Sequence, residues 1–286
     1  MHELTHDFDN LLILKSLDMI IVFLNPEQFA YHIFSGILPS PIDRRREVCD
    51  TTRMKLLTVN NAKTIKGEKT GYLTGILYLA PSDMAGNGIN TCANASAGCR
   101  AACLFTAGRA AMFPMVNEAR IRKTRELFSN RVAFVAQLEK DIAALVRKAK
   151  REGFTPCVRI NGTSDLPWLS HTLAERFPDV QFYDYTKHPE PWKRTRANYH
   201  ITFSNSEVNM SQTLDALAHG VNVAVVFPVK RGKPLPQTWQ GYAVIDGDET
   251  DLRFTDARGS IGAIVGLRAK GKARKDASGF VQIALA

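Results

Sequence analysis

From Met54 onward, short runs rich in β-branched and aromatic residues alternate with helical stretches, and this cycle constrains the fold more than any other feature. MKLLTVNN, GYLTGILYLAPS, TPCVRI, VQFYDY, YHITFS, VNVAVVFP, YAVID and IGAIVGL read as strands, bounded by Gly, Pro and Asn. Between them lie a long helical region from Met115 to Arg151, the helix LPWLSHTLAERFP, the short helical piece PEPWKRTRA, and SQTLDALAHG ending at Gly220. In the long region Val116, Ile121, Leu127, Val132, Val135, Leu138, Ile142 and Leu145 recur at helical spacing, and Asn130 is placed to cap a second helix. Strands that alternate with helices form parallel βαβ units. Five or six such units make either an open doubly wound sheet or a full or partial parallel β/α barrel.

In both architectures the functional site lies beyond the C-terminal ends of the strands. Those ends are polar here: Asn161-Gly162-Thr163-Ser164-Asp165, Thr186-Lys187-His188, Asn205-Ser206-Glu207, Val229-Lys230-Arg231 and Gly247-Asp248. One such cluster is ordinary turn chemistry. Five in register predict a polar pocket at one end of the sheet.

The segment NTCANASAGCRAACLFTAGR, after the strand GYLTGILYLAPS, holds Cys92, Cys99 and Cys103 in a C-x6-C-x3-C spacing. Three of the chain's five cysteines thus fall within twelve positions. Reduced cysteines clustered this way serve as metal ligands. Structural zinc takes four ligands, and this loop offers three Cys and no His. Three soft thiolates suit a 4Fe–4S cluster with one iron left open. The alternatives are zinc or no metal at all, with the thiols packed as small apolar groups. Gly86, Gly88, Gly98 and Gly108 give the loop freedom to wrap closely.

The run GYLTGILYLAPSDMAGNGINTCANASAGCRAACLFTAGRA resembles the phage "gene product 88" family, as do RINGTSDLPW, FYDYTK, TFSNSE, VIDGD and GLRAKGKAR. The resemblance covers Met54 to the C-terminus. The cysteine loop also resembles, more distantly, that of radical-SAM-like phage proteins, in which a three-cysteine loop follows the first barrel strand. Their common C-x3-C-x2-C spacing differs from this chain's in both gaps, which bears on SAM cleavage more than on cluster binding. That resemblance implies a barrel fold, an iron–sulfur cluster on Cys92, Cys99 and Cys103, S-adenosylmethionine as a second cofactor, and an external electron donor. It sets Asn161, Gly162 and Thr163 where the methionine amino group is met. It sets Ser204, Asn205 and Glu207 where ribose hydroxyls are bound, with Ser164 and Asp165 bordering the pocket. Residues 161–165 read equally well as a turn and N-cap for the helix that follows.

The chain carries 37 Lys and Arg against 28 Asp and Glu, a net charge of +9. Residues 1–53 hold five basic and eight acidic residues, so the remainder stands at +12. The Arg109–Arg151 stretch alone has eleven basic and four acidic residues. This predicts an anionic partner, and it supports a competing reading as a nucleic-acid-binding protein with a structural metal site, stacking bases on Trp168, Trp192 and Tyr199. Asp246-Gly247-Asp248 reads as a turn, GLRAKGKAR as a solvated basic loop, His188 as a loop residue, and Asp184 with Lys187 as a loop pair. No G-x-S-x-G, H-E-x-x-H or G-x-G-x-x-G motif is present.

Residues 1–53 read as an N-terminal extension ending in the linker PSPIDRRREVCDTTR, and Met54 is a plausible alternative start. Leu11–Leu24, interrupted by Lys15 and Asp18, is shorter than the roughly 20 residues of a membrane span and reads as a core helix. With an acidic segment before it and no cleavage site after it, the expected location is the cytoplasm.

Overall fold

A computed structural model describes residues 13–16, 19–22, 55–257 and 259–283. The chain divides into two units at Met54. In the first, β1 (Ile13–Ser16) pairs antiparallel with β2 (Met19–Val22). The helix expected over Leu11–Leu24 is therefore replaced by strands, in keeping with the β-branched Ile13, Ile20, Ile21 and Val22. The rest of the N-terminal extension, its linker and Met54 lie outside the described residues.

The second unit is a mixed α/β domain. Its strands are β3 (Leu57–Thr58), β4 (Tyr72–Leu77), β5 (Thr155–Arg159), β6 (Gln181–Thr186), β7 (Tyr199–Ser204), β8 (Val223–Phe227), β9 (Thr238–Trp239), β10 (Tyr242–Asp246) and β11 (Ile264–Arg268). They form one nine-stranded sheet in the order β3-β4-β5-β6-β7-β8-β11-β10-β9. Only the edge strands β3 and β9 pair antiparallel; every pairing between β4 and β10 is parallel. The order runs from β4 to β8 without reversal, and among the described residues no pairing joins the two edges to close the sheet.

The helices are α1 (Ala62–Glu68), α2 (Ala97–Ala101), α3 (Arg109–Met112), α4 (Pro114–Ser129), α5 (Arg131–Glu152), α6 (Pro167–Arg176) and α7 (Met210–Ala218). Asn130 caps α5 as expected, its side chain accepting from the Ala133 N–H at 3.2 Å. Gly153, in the left-handed region at φ 75°, ends the helix. The buried stripe of α5 is Phe134, Val135, Leu138, Ile142, Leu145 and Ala149. Val132, expected among them, is 83% exposed because it falls beside that stripe in the first turn of the helix. Gly75 on β4 lets α5 sit close: a Cβ there would lie 2.9 Å from Leu145 Cδ2.

Strand alternation gives the sheet two different faces. One is apolar beneath its helices, as where Phe203, Val223, Val225 and Phe227 pack with Ala216 and Leu217 of α7. The other carries Cys157, Arg159, Tyr183 and Tyr185, and the connection from β10 to β11 crosses it. Leu252 of that connection packs on Cys157 and Tyr183. Asp251 meets Arg159, its Oδ2 at 2.9 Å and Oδ1 at 3.1 Å from Nη1. Tyr183 Oη also donates to Asp251, at 3.3 Å. Burial acts to lower the Arg159 pKa, but Asp251 and the tyrosines outweigh it and hold the guanidinium above its ordinary value.

Candidate functional site

A cavity of about 990 Å³ opens at the C-terminal ends of the parallel strands. Asn161 to Asp165, Thr186-Lys187, Ser204-Asn205 and Gly247-Asp248 all line it, so four of the five polar strand ends gather as expected. The fifth, Val229-Lys230-Arg231, is not among the lining residues, and neither is His188.

The cysteine loop forms one wall. Cys92, Cys99 and Cys103 all line the cavity. Thr91 seats the loop: its Oγ1 donates to Ala80 O at 2.6 Å, and its carbonyl accepts from the Asp165 N–H at 2.8 Å. Cys92 Sγ lies 3.8 Å from Thr163 O, and the Phe105 N–H points to Cys103 Sγ at 3.5 Å. Burial pushes the Cys92 thiol up to about 11 and raises that of Cys103. Among the described residues, no three His, Cys, Asp or Glu side chains gather tightly enough to hold a single metal ion. Cys157 stands apart on β5, fully buried and 3.2 Å from Thr74 Oγ1.

Glu207 is the brace of this loop. Its Oε2 accepts from Ser96 Oγ at 2.7 Å and its Oε1 from the Gly98 N–H at 2.7 Å. Ser96 Oγ in turn accepts from the Cys99 N–H at 3.1 Å, capping α2. Glu207 does not line the cavity, and both its oxygens are bonded to the loop. Its carboxylate thus ties the loop to the turn after β7. The carboxylate lies in the sequence 109 residues from the amide it holds, so local pattern carried no signal for it.

Asn161 is also engaged internally. Its N–H donates to Asp184 Oδ1 at 2.7 Å, and its Nδ2 to Asp184 Oδ2 at 3.1 Å and Ser170 Oγ at 3.0 Å. Its Oδ1 accepts from Ser164 Oγ and from the Leu166 N–H, each at 2.9 Å. This is the turn role of the segment; α6 starts from Leu166 with no side-chain cap bond, so the segment does not cap it. Asp184 is therefore not a loop partner of Lys187; it ties β6 to β5 and α6. Gly162 is required by space: a Cβ would lie 2.7 Å from Leu77 O. Asp165 accepts from Thr186 Oγ1 and the Lys187 N–H, each at 2.8 Å. Asn205 is buried, donates to Thr213 Oγ1 at 3.0 Å, and leaves Oδ1 with no partner among the described residues.

The charged part of the lining is mostly basic. Nine basic side chains and four aspartates border the cavity. Three of the nine, Arg159, Arg268 and Lys270, hold a carboxylate among the described residues. Arg268 takes both Asp246 and Asp248, so the Asp-Gly-Asp turn binds this guanidinium, and GLRAKGKAR begins inside the site. The aromatic residues expected to stack bases lie elsewhere. Trp192 stacks on His219 with centroids 3.9 Å apart, Trp168 faces Arg131 at 4.5 Å, and Tyr199 is buried in the core. No helix among the described residues is long and apolar enough to cross a membrane.

The fold and cavity define an α/β protein in which a three-cysteine loop borders a basic chamber at the C-terminal edge of a largely parallel sheet. Residues 54–283 match the family described as Gene product 88, and the chain belongs to that family. Comparison with curated proteins and with solved structures finds no match.

Proposed function

We propose that this protein binds an iron–sulfur cluster through Cys92, Cys99 and Cys103 and uses the adjoining chamber to hold a small anionic substrate. The observation that carries the reading is the convergence of three thiols, from one loop, on one cavity at the strand ends. The donor set fits. Thiolates are soft ligands suited to iron–sulfur clusters, and burial that keeps Cys92 and Cys103 neutral alone is offset when a cation replaces the proton. Structural zinc takes four ligands, and the loop brings three thiols to the cavity, which favours a cluster over a single structural zinc.

With three cysteine ligands, the cluster would keep one iron open. The cofactor this reading names for that iron is S-adenosylmethionine, whose radical chemistry the cluster supplies when reduced. The protein's part is to shape the pocket. Thr163 brings backbone close to Cys92, and Gly162, Ser204 and Asn205 also line the pocket. The unreversed order from β4 to β8, with the cysteine loop following the first parallel strand, supports a partial β/α barrel of the radical-SAM kind. Anaerobic purification with iron analysis and visible absorbance tests the cluster, and Cys99→Ala tests the assignment. A folded, colourless, iron-free wild type sinks it.

The basic lining supports a second reading, in which nucleic acid is the anionic partner. Its test is a binding constant that falls steeply with salt.

A further inference from the structure

Arg120 is a half-buried cation of the chamber. It projects from α4 into the cavity, among Tyr78, Phe105 and Cys103. Its guanidinium lies 5.1 Å from the Tyr78 ring centroid and 5.7 Å from that of Phe105. Nη1 donates to Asn117 Oδ1 at 3.4 Å, and its buried Nε has no partner among the described residues. No carboxylate pairs with it among the described residues. The contrast is Arg159, which lies over the Tyr185 ring in the same chamber but is neutralised by Asp251. A desolvated guanidinium without an anion is costly unless a ligand completes it. Two aromatic rings hold its plane, which suits bidentate recognition of an oxyanion.

We propose that Arg120 anchors a phosphoryl group of a small-molecule substrate bound in this cavity. A phosphoryl group fits better than a lone carboxylate because the lining is so unbalanced, with six of its nine basic side chains lacking a carboxylate partner among the described residues. A volume of about 990 Å³ suits a molecule of nucleotide size. The inference rests on the chamber as the substrate site but requires no iron, so the two can fail separately.

The test uses the full chain, both anaerobically purified and iron-free, titrated calorimetrically with inorganic pyrophosphate and, at matched ionic strength, with acetate. Wild type should bind pyrophosphate and not acetate, in both preparations. Arg120→Gln should weaken binding about tenfold or more, the loss of one charge-assisted contact, with Arg120→Lys between them. Circular dichroism and thermal unfolding establish that each variant is folded. No pyrophosphate binding by wild type, or equal binding by Arg120→Gln, overturns the proposal. Displacement of pyrophosphate by an equimolar single-stranded DNA oligomer overturns the small-molecule assignment. A colourless, iron-free protein that still binds pyrophosphate through Arg120 would remove the cluster reading and leave this one standing.

Discussion

The Gly98 N–H donates to Glu207 Oε1 at 2.7 Å, joining the cysteine loop to the turn that follows β7 across 109 residues of sequence. Gly98 has no room for a side chain there. A Cβ would lie 2.2 Å from Ser278 Oγ and 2.8 Å from both Glu207 Oε1 and Phe280 Cβ. Three segments thus meet at one residue, and Cys99 is next to it in the chain.

Glu207→Ala should therefore lower the free energy of unfolding by about 1–3 kcal/mol through the lost charge-assisted bonds. On the cluster reading it should reduce bound iron as well, with Glu207→Gln keeping more of both. Denaturant unfolding and iron analysis on the same preparations check this. Unchanged iron in Glu207→Ala would show that the brace does not position the ligands.

Gly98→Ala should destabilise by about 1–3 kcal/mol through overpacking against Ser278 and Phe280. Trimming the obstruction tests the mechanism. Ser278→Gly in the same chain should recover part of the loss, and a double-mutant cycle in denaturant measures that coupling.

Asp251→Asn leaves the Arg159 guanidinium buried without its counter-charge. The expected cost is about 3–5 kcal/mol. Replacing both residues by apolar ones of similar volume should cost less than the single change, because no charge is then left uncompensated. Urea unfolding of the two variants decides the order.

Burial raises the carboxyl groups of Asp184 and Asp256 each to about 6, against hydrogen bonds and, for Asp256, Arg253 acting the other way. The folded chain then keeps protons that the unfolded chain has released between about pH 4 and 6. Stability should fall as pH rises through that window, by up to about 3 kcal/mol for Asp184. Asp248 and Asp276 are shifted down, so their contribution is lost only at more acid pH. Asp184→Asn should flatten the fall between pH 4 and 6 to what Asp256 leaves, whatever it does to the baseline. Denaturant midpoints across that range provide the measurement.

The parallel strands were legible because each is a short β-branched run between turn residues, and β7, expected over YHITFS, spans Tyr199–Ser204. So were Asn130 as a cap and the polar strand ends as a pocket, since both depend on neighbours in sequence. α1 went unread because AKTIKGE follows an apolar run that reads as strand to its end. The brace at Glu207, the Arg159–Asp251 pair and the crossing of the β10–β11 connection were not legible, because each joins residues brought together only by the sheet order. The surroundings of Trp168, Trp192 and Tyr199 were not legible for the same reason: their neighbours Arg131, His219 and the core come together only in the fold.

The last prediction concerns the thiols. Cys92, with its thiol pushed up to about 11, and Cys103, also raised, are neutral at pH 7.5 in iron-free protein. Because the thiolate is the nucleophile, iodoacetamide should modify both more slowly than it modifies an exposed model thiol, and faster as pH climbs toward 9. Cys157, buried in the sheet and pushed up to about 12, should stay unmodified until the chain unfolds. Peptide mass mapping over time at two pH values separates the sites. On the cluster reading, anaerobic protein should show a further protection of Cys92, Cys99 and Cys103 together, lost on chelation of iron, because a thiolate held by iron has its lone pair engaged. Protection of only one or two of them would mean that the three do not share one centre.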